Sequence, residues 1–189
     1  MVMSFQSRPS LAAWIVPCAL SAIAVCWTTQ ATAGDPYDLG RAATEEEIRA
    51  WDIDINPNGD GLPPGRGTVE HGAVIFAATC AACHGVTGTE GPADRLVGGH
   101  SSLATAHPLK IVGSYWPYAT TLFDYIRRAM PLTAPQSLTP DEVYSLVAWL
   151  LYQNGIVAQD FRVDATTLPA IRMPNRNGFV PDPRPDRPH

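Results

Sequence analysis

Cys80, Cys83 and His84 form a Cys-x-x-Cys-His run, in which two thiols one helical turn apart can add across the vinyl groups of a porphyrin. The adjacent histidine is then held beneath the iron. A thioredoxin-like redox pair uses the same cysteine spacing, but within a strand-rich α/β pattern that is missing here. Half a zinc site would need a second cysteine pair that the rest of the chain lacks. The motif therefore points to one covalently attached haem c, with His84 as an axial ligand.

A second axial ligand must come from elsewhere. The candidates are Met130, Met173, His71, His100, His107 and His189. Met130 stands in Arg127-Arg128-Ala129-Met130-Pro131, where a helix end leads into a loop that can turn a thioether toward the iron; it is the expected ligand, and Met173 is its main rival. Methionine ligation raises the reduction potential relative to a second histidine and closes the iron to substrates. Pro92, in Gly91-Pro92, is expected to offer its carbonyl to the other ring nitrogen of His84. Tyr115, Trp116 and Tyr118 are candidates for lining the pocket and reaching the propionates, with Arg95, Arg127 and Arg128 as cationic partners.

These groups need helices to hold them. Gly72, Phe76 and Cys80 recur every four residues from Thr68 onward, along one helical face. Thr139-Pro140-Asp141-Glu142 opens another helix with a capping threonine, a first-turn proline and a capping-box glutamate. Its apolar stripe is Val143, Leu146, Val147, Leu150 and Leu151, Gly155 stops it, and Trp149 is positioned to meet the notch at Gly72. A third helix is expected from about Ala119 to Ala129, ending before Pro131. Residues 85–118 carry no periodicity and are expected to wrap the haem as loop. Thr44-Glu45-Glu46-Glu47 caps a short helix to about Trp51, with Trp51 and Ile53 as expected apolar anchors. The segment beyond Val157 is proline-rich and expected to be extended.

The first residues follow the layout of a secretory leader. Arg8 precedes an apolar stretch, Leu11 to Trp27, and the small-x-small site Ala31-Thr32-Ala33. Cleavage after Ala33 would remove Cys18 and Cys26 and leave only the Cys80/Cys83 pair, in an oxidising compartment such as the periplasm. With Arg8 gone, 12 basic and 18 acidic side chains remain, a net charge of −6 that argues against nucleic-acid binding. Nine of the acids lie in residues 34–70, against Arg41, Arg49 and Arg66. The expected organisation is a leader over 1–33, an acidic extension over 34–67, an all-α haem domain over 68–156 and a tail over 157–189.

In order and spacing, the Gly72/Phe76/Cys80 face, the haem motif, Gly91-Pro92, Met130-Pro131 and Ala148-Trp149-Leu150 resemble class I cytochromes c. The resemblance implies three to four helices around one haem. Further segments resemble the SoxD family, the cytochrome subunits of sulfur dehydrogenase, and the related cytochrome subunits of sulfite dehydrogenases. These are Trp51-Asp52-Ile53-Asp54-Ile55, Gly61-Leu62-Pro63-Pro64-Gly65, residues 112–125 and Met173-Pro174-Asn175-Arg176-Asn177-Gly178-Phe179. This likeness implies an electron-transfer subunit rather than an enzyme by itself. Its donor would be a SoxC-like subunit carrying a molybdopterin cofactor, and its acceptor a further cytochrome c or an oxidase. SoxD proper is a longer two-haem chain, whereas this one has a single Cys-x-x-Cys-His. The alternative is an independent carrier to a terminal oxidase. Against it, Lys110 is the only lysine, so the lysine ring with which mitochondrial cytochrome c docks is missing.

Overall fold

The computed structural model describes residues 39–183, so the expected leader over 1–33, its cleavage site and His189 lie outside the described residues. The chain divides after Ala42, and the helices and strands described below belong to the second unit. Among the described residues, no helix is long and apolar enough to cross a membrane.

The Thr44 hydroxyl accepts from the Glu47 amide while Glu47 reaches back to the Thr44 N–H, and this capping box opens α1, Glu45–Trp51. The turn-rich stretch that follows leads to β1, Arg66–Thr68, and then α2, Val69–Thr79, capped by Thr68. The backbone breaks at Cys80 and restarts as α3, Ala81–His84, so the haem motif occupies a helical corner. Residues 85–118 are loop apart from one 3-10 turn, Ser102–Ala104. Next come α4, Ala119–Ala129, and α5, Pro140–Gln153, the latter with the capping box expected at Thr139 and Glu142.

Helix α5 is the spine. Its contacts with α2 are its most extensive, and they depend on Gly72, where a Cβ would fall 1.9 Å from the Ser145 carbonyl oxygen and 2.7 Å from the Trp149 Cβ. One turn further along α2, Phe76 stacks on Trp149 with ring centroids 4.0 Å apart. On another side Phe123 of α4 meets Tyr144 at 4.5 Å.

The apolar stripe expected on α5 understates its burial, because every residue from Val143 to Leu151 is buried. The cover comes from the flanks. Residues Arg162–Asp164 form β2, which pairs antiparallel with β1 in the register Arg66 with Asp164, Gly67 with Val163 and Thr68 with Arg162. A 3-10 turn, Leu168–Ala170, follows. Val163, Leu168, Ile171 and Met173 all enter the core, each contributing on the order of 1.5–3 kcal/mol by burial.

This packing adds detail to two sequence expectations and corrects a third. The helical content is compatible with an all-α haem domain, with one two-stranded ribbon formed by the segments that flank it. The tail is extended only in part, and both flanks pack on the helical body: Ile55, Val163 and Met173 share one core with α2, α4 and α5. Finally, Trp51 is not an anchor, being 85% exposed; Ile55, at 7%, takes that place. A helix of seven residues that buries none of them has no apolar face to insert, whereas the turn after it presses Ile55 against the body.

Candidate haem site

The corner between α2 and α4 opens into a cavity of about 710 Å³, within the range of sites for bound small molecules. Cys80, Cys83 and His84 form one wall and Met130 contributes to another. Phe76, Leu122, Ile126, Leu146 and Leu150 supply apolar lining from three helices, and Trp116 adds an aromatic ring. Burial pushes the Cys80 thiol above its ordinary range, although the Thr79 hydroxyl beside it acts the other way. Both cysteines are free.

The ring of His84 is oriented by one contact. Its Nδ1 lies 2.7 Å from the carbonyl oxygen of Asp94. A carbonyl only accepts, so Nδ1 carries the proton and donates it, leaving Nε2 as the unprotonated nitrogen able to bind a metal. Asp94, not Pro92, is therefore the partner of this nitrogen. Gly91-Pro92 acts one step earlier. A Cβ at Gly91 would fall 2.0 Å from the Cys83 carbonyl oxygen, and the Ala93 amide donates to that same oxygen at 2.8 Å. The loop thus passes close against α3 and delivers the next carbonyl, that of Asp94, to His84.

Of the residues considered as the sixth ligand, only Met130 lines the cavity among those described. It caps the C-terminus of α4 with extended backbone, a consequence of Pro131 disfavouring helical geometry before it. Met173 is 2% exposed within the core and is not part of the cavity wall. His71 places Nδ1 3.2 Å from the Ser145 hydroxyl, on the α2–α5 contact. His100 and His107 are exposed on the loop.

The aromatic cluster divides. Trp116 lines the cavity and meets Tyr125 edge-on at 5.8 Å. Tyr115 does not line it; its ring packs against Phe179 at 5.1 Å, and its carbonyl accepts from the Asn175 side chain at 2.7 Å. Tyr118 lies beneath the Arg176 guanidinium, 4.1 Å from ring centroid to carbon. The tail thus occupies two of the three aromatic residues expected at the haem.

The cations divide as well. Arg95 lines the cavity as expected, joined by Lys110. Arg127 instead donates to the Ile53 carbonyl at 3.1 Å, and Arg128 pairs with Asp124. Lys110 and the Asp94 carbonyl were not legible as site residues, because a lone lysine in a loop carries no spacing and every residue has a carbonyl.

The residues present fit a haem c. Two thiols on a helical corner face an apolar cleft, an imidazole is fixed in the tautomer that ligates, a thioether lies in the same cleft, and two cations line it, Arg95 also donating to the Thr89 carbonyl and Lys110 lying over the Tyr115 ring.

The model of the family described as cytochrome c oxidase, cbb3-type, subunit III matches residues 67–150, which supports a cytochrome c domain with haem c. Comparison with curated proteins gives no match. Among solved structures, the sulfane dehydrogenase SoxCD from Paracoccus pantotrophus is similar at 44% sequence identity, with a TM-score of 0.71. That likeness covers 79% of this chain and 74% of that one. Since it spans well beyond the haem-bearing residues at that level of identity, the chain belongs to the SoxD-like family of cytochromes c, the electron-transfer subunits of sulfur-oxidising dehydrogenases.

Proposed function

We propose that the protein is a single-haem class I cytochrome c, exported to the periplasm behind a cleaved leader. There it receives electrons from a SoxC-like subunit that carries a molybdopterin cofactor and oxidises sulfite or sulfane sulfur. It passes them to a further cytochrome c or an oxidase. The observation that carries this reading is that Cys80, Cys83, His84 and Met130 line one cavity.

Bound there, haem c supplies one-electron chemistry between ferric and ferrous iron. Cys80 and Cys83 would hold it by thioether bonds. His84 Nε2 and the Met130 sulfur would bind its iron, the first oriented by Asp94. Phe76, Leu122 and Leu146 keep water from the group, and the low polarity of that lining with methionine ligation raises the potential. Arg95 and Lys110 offset the propionate charge. With His84 and Met130 both on the iron, the chain would transfer electrons without binding a substrate.

The test is purification of the holoprotein with its neighbouring molybdenum subunit. One haem per chain is expected, with a low-spin reduced spectrum unresponsive to carbon monoxide and haem reduction when sulfite or a sulfane donor is added to the pair. A carbon monoxide adduct forming readily would refute the axial assignment. An oxidised haem after substrate addition, with the molybdenum subunit shown to turn over, would refute the donor.

A further inference from the structure

We propose that α1 is a docking helix, and that Ile48 and Trp51 insert into an apolar pocket rimmed by lysine or arginine on the electron-donor subunit. The inference rests on the reading of this chain as a dehydrogenase's cytochrome subunit.

Large apolar side chains left open to water at this density need a reason. Trp51 is 85% exposed and Ile48 46%, on a helix with no buried residue. Three positions apart, they lie on one face of the helix. Tryptophan is the residue type most enriched among those that dominate binding energy at protein interfaces. Around the pair the charge is of one sign. Glu45, Glu46, Asp52 and Asp54 are exposed carboxylates, with Arg49 the only base within the helix. An apolar centre with an acidic rim complements a basic rim around an apolar pocket, and repels an acidic surface such as the leading segment of a second copy. Since the chain carries a net negative charge, a second copy is the less favourable occupant.

The position of α1 suits electron entry. The Ile53 amide donates to the Trp51 carbonyl at 2.9 Å, and the Ile53 carbonyl accepts from Arg127 at 3.1 Å. Trp51 is therefore within two residues, at most about 7 Å of chain, of a segment fastened to the last turn of α4. That turn ends at Met130 on the cavity wall. Leu132 and Tyr125, which also line the cavity, form its rim beside Met130. A donor held by α1 would face this rim.

The experiment titrates the full-length holocytochrome against the purified SoxC-like molybdenum subunit, comparing wild type with Trp51→Ala, Ile48→Ala/Trp51→Ala and Glu45→Lys/Glu46→Lys. Trp51→Ala should raise Kd by roughly 30-fold or more, the double apolar variant further, and the charge variant should weaken binding and flatten its salt dependence. Because these side chains are exposed, all variants should keep the wild-type haem spectrum and melting temperature. Equal affinity of wild type and Trp51→Ala would overturn the docking helix while leaving the subunit reading in place. If wild type itself fails to bind, the subunit reading falls and the docking helix with it. A cytochrome dimer that Trp51→Ala abolishes, with donor affinity unchanged, would overturn the proposal in favour of a second copy.

Discussion

The carboxylate of Asp124 accepts a hydrogen bond at 3.0 Å from the backbone N–H of Ile55, 69 residues earlier in the chain. Asp124 is 8% exposed and also pairs with Arg128 one turn along α4. On the same helix Thr120 donates to the Pro57 carbonyl at 3.2 Å and Arg127 to the Ile53 carbonyl. The segment before β1 is thereby strapped along the helix that ends in Met130. Replacing Asp124 by Ala leaves a buried N–H without an acceptor and should cost about 2–3 kcal/mol in urea unfolding. Asp124→Asn retains an acceptor for Ile55 and should cost less; equal losses would show that this hydrogen bond contributes little.

The two methionines of the body should separate spectroscopically. Met130→Ala should open the iron, giving a reduced form that binds carbon monoxide and a lower reduction potential. Met173→Ala should leave the haem spectrum as in the wild type while lowering stability by about 2–5 kcal/mol, because it empties a core site. The reverse pattern would move the ligand to the tail.

The α2–α5 contact should tolerate no side chain at position 72. A Gly72→Ala methyl would fall 1.9 Å from a backbone oxygen, and backbone cannot swing aside as a flexible side chain does. A loss of about 3 kcal/mol, or failure to accumulate folded holoprotein, is expected. Wild-type stability in a thermal melt would contradict the packing.

Acid should loosen the loop after the haem motif. Glu90 accepts from the hydroxyls and amides of Thr87 and Thr89, with the Thr87 hydroxyl the largest influence, and its pKa is lowered from 4.5 to about 2. A carboxyl depressed in the folded state stabilises it above the unfolded pKa and loses that contribution as pH falls through the folded one. The contribution of Glu90 should therefore be complete above about pH 5 and fade between about 4.5 and 2. Asp164, lowered by the amides of Thr167 and Thr166, and Glu142, lowered by Thr139, act in the same direction. In melts across this range, the stability gap between wild type and Glu90→Gln should shrink as pH falls, and a constant gap would exclude the mechanism.

What was legible from the residues alone was whatever chemistry acts over a few positions. The haem motif, the caps at Thr44 and Thr139, the end of α4 at Pro131 and the Gly72 notch all depend on neighbours within one or two turns. Each stands where it was expected. Tertiary structure alone decided the roles set by distant partners. Which carbonyl reaches His84 depends on how closely Gly91 lets the loop approach Cys83. The burial of all sides of α5 depends on a ribbon between segments nearly a hundred residues apart, strands too short to show a period. Trp51 ends a polar helix and Ile55 follows it, both apolar, and only the strap to Asp124 determines that Ile55 goes in and Trp51 stays out. The Cys80-x-x-Cys83-His84 run announced a haem because covalent attachment is local. How that haem is enclosed and oriented follows from contacts that close only when the whole chain has folded.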